Sequence, residues 1–270
     1  MAPFSLFSLQ GKVAVVTGGS RGLGKEIATA LAAAGARVAI SARREQWLTD
    51  ARRALEAAGF DCLAATCDVA DEHQASAFVE QVLARFGRID ILVNNAGISW
   101  GAPSLEMPLE RWRSVLEVNA TGAFIMCRLV GRHMIERRRA AAHPGGTGGV
   151  AGKIINIGSV MGLQGTPPEV LAAAGYSASK GALIALTRAL AVEWAPHGIT
   201  VNALCPGFFP TRLSEAVIER HAEALLARIP LGRFGSAEDI RGVAVFLASP
   251  ASDYLTGQVI TVDGGMTAAL

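Results

Sequence analysis

Seven short runs rich in valine and isoleucine, separated by longer segments with helical periodicity, constrain this chain more than any other feature. The runs are Val13–Thr17, Arg37–Ser41, Asp61–Thr66, Ile89–Asn94, Gly152–Ile157, Ile199–Leu204 and Gln258–Val262. Most lack the alternation of a strand with one wet face, as expected for parallel strands covered on both sides. The stretches Leu23–Ala34, Arg44–Ala58, Asp71–Phe86 and Leu109–Arg138 read as helices. Strand–helix alternation with right-handed crossovers predicts an α/β fold, a single-domain doubly wound parallel sheet of about seven strands with helices on both faces. No repeat or linker divides residues 1–270. Residues 140–152, containing His143-Pro144-Gly145-Gly146, read as a flexible glycine-rich insertion. The preceding Arg137-Arg138-Arg139 suits a helix C-terminus, where cations are favoured.

Composition excludes several classes. With 51% hydrophobic and 18% charged residues and a formal net charge of +2, the chain is neither disordered nor a predicted nucleic-acid binder. Arg188 interrupts the most apolar run, Ala182–Ala195, so no membrane span is expected. The start, Met1-Ala2-Pro3-Phe4-Ser5, lacks the basic region of a signal peptide. Cys62, Cys67, Cys127 and Cys205 form no CxxC and read as reduced core thiols, which suggests a cytoplasmic protein. The five histidines form no HExxH or comparable pair, so no metal is expected.

The first strand runs into Thr17-Gly18-Gly19-Ser20-Arg21-Gly22-Leu23-Gly24, and a helix follows at once. Such glycines let the backbone approach a pyrophosphate, and the helix N-terminus offers free N–H groups and partial positive charge. Alone the turn is weak evidence, since βα turns need glycine for backbone reasons too. Position strengthens it. Arg43, Asp68, Asn95 to Gly97, Ser159 and Pro206-Gly207 each follow a predicted strand, at the sheet edge where open α/β proteins bind ligands. After the second strand the chain reads Ala39-Ile40-Ser41-Ala42-Arg43-Arg44. The acid that would bind ribose hydroxyls of NAD is missing, and Arg43 with Arg21 suits the 2′-phosphate of NADP. Two readings compete: Arg43 and Arg44 merely begin a wet helix, or Glu45 accepts from the ribose.

Tyr176 lies four residues before Lys180, on one helix face. A phenol with a reference pKa near ~10 works poorly at neutral pH, and lowering it by about 3 units requires roughly 4 kcal/mol. A unit charge at ~4 Å and an effective dielectric of ~20 supplies about that much. Ser159 is placed to hydrogen-bond a substrate oxygen. Asn119 sits in an otherwise apolar helix, where a buried amide must find partners, a water or a kinked carbonyl. Capping is the plain alternative for both.

With Thr17 to Gly24, Asp68-Val69, Asn94 to Gly97, Asn119, Ser159, Tyr176 with Lys180, Pro206-Gly207 and Thr211 in order, the chain resembles a short-chain dehydrogenase/reductase along essentially its whole length. The resemblance implies a Rossmann-type fold and NADP bound by Gly18, Ser20, Arg21, Gly22, Leu23, Gly24, Arg43, Asp68, Val69, Asn95, Ala96 and Gly97. Tyr176, Lys180, Pro206, Gly207 and Thr211 complete the implied cofactor set. It makes Tyr176 the acid/base, Ser159 the group orienting the carbonyl, and Lys180 a ribose ligand that lowers the Tyr176 pKa. Asn119 would hold a relay water. It also implies a dimer or tetramer, in keeping with the small, apolar helix Tyr176–Ala195.

Residues 207–229 read as a substrate-side loop and helix. The expected rim, Ser99, Trp100, Met161, Phe208, Phe209 and Leu213, is apolar and aromatic and favours a ketone with hydrophobic bulk. Within the family the chain resembles 3-oxoacyl-thioester reductases, which implies a 3-oxoacyl thioester. The chain is also similar to gluconate 5-dehydrogenase-like enzymes, which act on more polar substrates. Two departures bear on the substrate: Thr166-Pro167-Pro168-Glu169 lengthens the Ser159–Tyr176 segment, and Phe208-Phe209-Pro210 is unusually aromatic. A regulator that senses NADPH without turnover is the rival from another class, but it has no need of Ser159.

Overall fold

Strand β1 (Val13–Thr17) buries all five of its side chains. Alternate residues face opposite ways: Val13 and Val15 enter one apolar cluster, Ala14 and Val16 another. A strand with two apolar faces must be covered on both, which makes the protein three-layered. The computed structural model describes residues 3–141, 149–167 and 170–269. From β1 the chain passes through α1 (Gly22–Ala33), β2 (Arg37–Ala42), α2 (Glu45–Ala57), β3 (Cys62–Thr66) and α3 (Glu72–Phe86). It continues through β4 (Ile91–Asn94), α4 (Leu109–Leu116), α5 (Gly122–Ala141) and β5 (Gly152–Ile157). Then follow α6 (Ala174–Trp194), β6 (Ile199–Pro206), α7 (Glu215–Leu226), α8 (Ala237–Ala248) and β7 (Val259–Val262).

The strands form one seven-stranded sheet in the order β3-β2-β1-β4-β5-β6-β7, with every neighbouring pair parallel. Ile27 and Leu31 of α1, Leu48 of α2 and Ile240 and Leu247 of α8 cover one face. Phe78 and Val82 of α3, Met126 and Val130 of α5, and Leu190 and Trp194 of α6 cover the other. Each such side chain contributes roughly 1.5–3 kcal/mol on burial. The chain reverses its direction of travel between β1 and β4, so their carboxyl ends open onto a crevice.

The expected architecture is observed, with local corrections. Three strands, β3, β4 and β7, begin later than expected because the residues before them have other partners. The Gln258 N–H donates to the Asn202 Oδ1 at 3.0 Å. The Asp61 carbonyl accepts from the Val38 N–H at 3.1 Å, and the buried Asp90 carboxylate accepts from the Val13 N–H at 3.0 Å. The expected helix Leu109–Arg138 is broken by a π-helical turn, Glu117–Thr121, which widens the backbone at Asn119. Arg137 donates to the Ile89 carbonyl at 2.8 Å and pairs with Asp90 at 3.1 Å. It therefore closes the sheet at the end opposite the crevice. Most of the expected insertion 140–152 lies outside the described residues. Leu109–Ala141 is apolar and long enough to span a membrane by composition, yet 56% of its most apolar window is buried within the fold.

Candidate active site

The glycine turn is held open by Asn95. Its side-chain amide donates to the carbonyls of Thr17 at 2.9 Å and Gly18 at 3.1 Å, and its backbone N–H donates to the Thr17 hydroxyl at 3.0 Å. Asn95 is thus spent on the shape of the turn. Gly18 adopts φ +65°, in the left-handed region that favours glycine. At Gly24 a Cβ would stand 2.3 Å from the Asn95 amide nitrogen, so this position has no room for a side chain. The residue before α1, Arg21, supplies no side-chain bond to the helix end, leaving its first N–H groups facing the crevice.

That crevice encloses about 570 Å³ and runs from α2 to the segment after β6. It is lined by every residue expected to touch cofactor or substrate except Asn119 and Trp100. Trp100 points elsewhere: its ring lies under the Arg111 guanidinium at 4.2 Å, because the cation covers an apolar face that would otherwise be wet. Expecting it at the rim was an error of direction, since sequence places a residue in a loop without orienting its side chain. Pro168 and Glu169 of the lengthened segment lie outside the described residues, while Thr166 and Pro167 line a small adjoining hollow with Phe208 and Arg228.

At one end of the crevice stand Ser159, Tyr176 and Lys180. Ser159 lies two residues after β5, where it caps the turn Val160–Gly162, and its hydroxyl accepts from the Met161 N–H at 3.1 Å. It also hydrogen-bonds the Tyr176 phenol, which favours the phenolate, yet burial dominates and pushes the phenol up to about 12. Lys180 is 4% exposed. Its Nζ donates to the Ile157 carbonyl at 2.6 Å and lies 5.6 Å from the centre of the Tyr176 ring. Burial pushes the ammonium down to about 8. The expected depression of the tyrosine is therefore not seen. The simple estimate set a charge at ~4 Å and omitted the desolvation of both groups.

Asn119 lies behind these groups, 1% exposed. Its Oδ1 accepts from the Ile98 N–H at 2.8 Å; its amide donates to the Ile98 carbonyl and the Ser179 hydroxyl, both at 2.9 Å. Both amide hydrogens are committed, so the side chain clasps the loop after β4 to α6 and has no donor left for a water. Ser179 passes the chain on by donating to the Tyr176 carbonyl at 2.7 Å.

At the other end, guanidinium groups crowd Trp47 of α2. Arg21 lies 3.6 Å, Arg44 4.6 Å and Arg212 5.7 Å from the ring centre. Arg43 reaches Asp68 at 3.9 Å. Trp47 and Arg212 were not anticipated. Trp47 is three positions after Arg44, the spacing of neighbours on a helix face, and this was the available signal. Arg212 is distant in sequence and gave none.

Comparison with known proteins agrees with this geometry. Residues 18–267 match the family described as enoyl-(acyl carrier protein) reductase. A 2-dehydro-3-deoxy-D-gluconate 5-dehydrogenase of Pseudoalteromonas atlantica is 41% identical over 262 residues, covering 96% of this chain and 97% of the relative. A 3-oxoacyl-[acyl-carrier-protein] reductase of Synechocystis is 40% identical over 261 residues, covering 96% and 98%. The crystal structure of a gluconate 5-dehydrogenase from Burkholderia cenocepacia, in complex with NADP and tartrate, superposes with a TM-score of 0.89 at 40% identity, covering 99% of each chain. With the glycine turn, the Ser159–Tyr176–Lys180 group and the sheet order all in place, this chain belongs to the short-chain dehydrogenase/reductase family.

Proposed function

We propose that the protein is an NADP(H)-dependent oxidoreductase that interconverts a ketone and a secondary alcohol, and that its substrate is a hydrophobic ketone such as a 3-oxoacyl thioester. The residues present fit a phosphorylated dinucleotide: an uncapped helix end faces the crevice, and four arginines, Arg21, Arg43, Arg44 and Arg212, line its mouth. Glu45, the possible ribose acceptor, is exposed and is not among the lining residues.

NADPH, when bound, supplies the hydride for the carbonyl carbon. In the reductive direction Tyr176 gives its phenolic proton to the substrate oxygen, which Ser159 holds by its hydroxyl. Lys180 steadies the resulting phenolate by its charge and ties α6 to the end of β5 through Ile157. Asn119 is a positioning residue that fixes Ile98 relative to the Tyr176 turn. Burial keeps the phenol protonated, which suits reduction.

The apolar lining of the substrate end carries the substrate reading: Met161, Leu171, Phe208, Phe209, Leu213 and Val217 face it, and Ser99 is the polar addition. A sugar acid is the second reading. It is favoured by the exposed Arg228, which lines the adjoining hollow with Gln164 and Thr166 and offers a cation for a carboxylate. Initial rates on a 3-oxoacyl thioester, an aromatic diketone and 5-ketogluconate, each with NADPH and NADH, test both. Turnover of 5-ketogluconate alone overturns the hydrophobic reading, and NADH preference overturns the NADP reading.

The enzyme also assembles through α6 in this reading. Ala178, Ala182, Ala185, Ala189 and Val192 form an exposed apolar stripe at helical spacing, with Val192 79% exposed. Light scattering should give a multiple of 28.1 kDa; a monomer at working concentration counts against it. The four free cysteines agree with a cytoplasmic setting.

A further inference from the structure

The loop after β6 connects the two ends of the crevice. Phe208, Phe209 and Leu213 lie at its substrate end, yet Arg212, between them in sequence, extends to Trp47 of α2 at the other. Thr211 packs over the glycine turn, its Cβ 3.6 Å from where a Cβ of Gly22 would be. The loop therefore spans the region above the uncapped end of α1.

Arg21, Arg44 and Arg212 share one indole ring. The Arg21 guanidinium is held below its ordinary range, first by burial and then by the charges of Arg212, Arg44 and Arg43. Among the described residues no carboxylate lies within ion-pair reach of Arg21, Arg44 or Arg212; Asp68 serves Arg43 alone. Like charges gathered without a counter-charge cost free energy that a bound anion recovers. A phosphate monoester, with close to two negative charges and three acceptor oxygens, answers both the charge and the fork geometry of guanidinium groups. Trp47 holds those forks in place by stacking, so less side-chain freedom is lost when the anion binds.

We propose that Arg212 and Trp47 are specificity-determining residues for the phosphorylated dinucleotide: with Arg21 and Arg44 they form a seat for the phosphate on the adenosine ribose, one cation of which is delivered by the substrate-side loop. This rests on the NADP reading above and deepens it. It ties the choice of dinucleotide to the position of a loop that also carries Phe209 and Leu213.

Titration calorimetry of the full-length protein with 2′,5′-ADP and with 5′-ADP tests it without turnover. The wild type should bind 2′,5′-ADP more tightly. Arg212→Gln should weaken 2′,5′-ADP by about tenfold, the loss of one charge-assisted bond, and change 5′-ADP by less than about twofold. Arg212→Lys should keep part of the preference, and Trp47→Leu should lose it as Arg212→Gln does. Equal weakening of both ligands by Arg212→Gln assigns the residue to the pyrophosphate and overturns the proposal. Unchanged affinities overturn it as well, while leaving the NADP reading intact. A wild type that does not distinguish the two ligands overturns the NADP reading and this inference with it.

Discussion

Lys180 and Tyr176 share one face of α6, yet the lysine Nζ lies 5.6 Å from the phenol ring centre and donates to the Ile157 carbonyl at 2.6 Å. The residue spacing brings the two together, but the strand end takes the ammonium's hydrogen bond. Their protonation therefore follows burial first, with the Ser159 hydrogen bond second for Tyr176 and Cys205 second for Lys180.

The contribution of Lys180 to stability should rise with pH. Its folded pKa, about 8, is below its ordinary 10.5, so the unfolded chain binds more protons between these values and folding gains as pH increases. The full difference is about 3 kcal/mol. Tyr176 acts in the opposite sense only above 10, where its folded value of about 12 begins to matter. The four thiols, raised from their ordinary 9 by burial, act in the opposite sense in both proteins. It is therefore the difference in urea midpoint between the wild type and Lys180→Met that should shift in favour of the wild type from pH 7 to 10. Parallel curves would mean that Lys180 is not desolvated.

Replacing Tyr176 by phenylalanine removes the proton donor and keeps the ring. We expect kcat/KM to fall by roughly 10²–10⁴, with the NADPH dissociation constant within about threefold of wild type. Steady-state rates and fluorescence titration check both. Retained activity would assign the proton to another group.

Asn119→Ala leaves the half-buried Ile98 N–H and carbonyl without their partner and frees Ser179. An orphaned buried group costs about 1–3 kcal/mol; with Ile98 half-buried the loss should lie at the lower end of that range, and the urea midpoint should drop accordingly. NADPH affinity should fall with it, because Gly97 and Ile98 line the crevice. A variant with wild-type stability would show that the clasp is not required.

Trp100→Ala should change kcat/KM by less than about twofold on any accepted ketone, since its ring belongs to Arg111 and not to the crevice. A tenfold rise in KM would return Trp100 to the substrate rim.

Much of the molecule is determined by local sequence. The apolar runs become strands because each has two faces to bury, as Val13, Ala14, Val15 and Val16 illustrate. The glycine turn and the Tyr176–Lys180 spacing are local too, and ordering the motifs along the chain places them at one sheet edge. Tertiary structure decides what those residues do once there. Asn95 lines the crevice as its place in sequence suggests, and its side-chain amide is committed to the glycine turn. Asn119 has all its amide hydrogens engaged through a π-turn that no periodicity announces. Trp100 turns away, while Arg212, some 165 residues beyond Trp47 in number, joins its cluster. Side-chain direction and partner choice depend on which elements pack together, and burial then sets the charge state. Spacing encodes position along an element; it does not encode the neighbours that compete for each hydrogen bond.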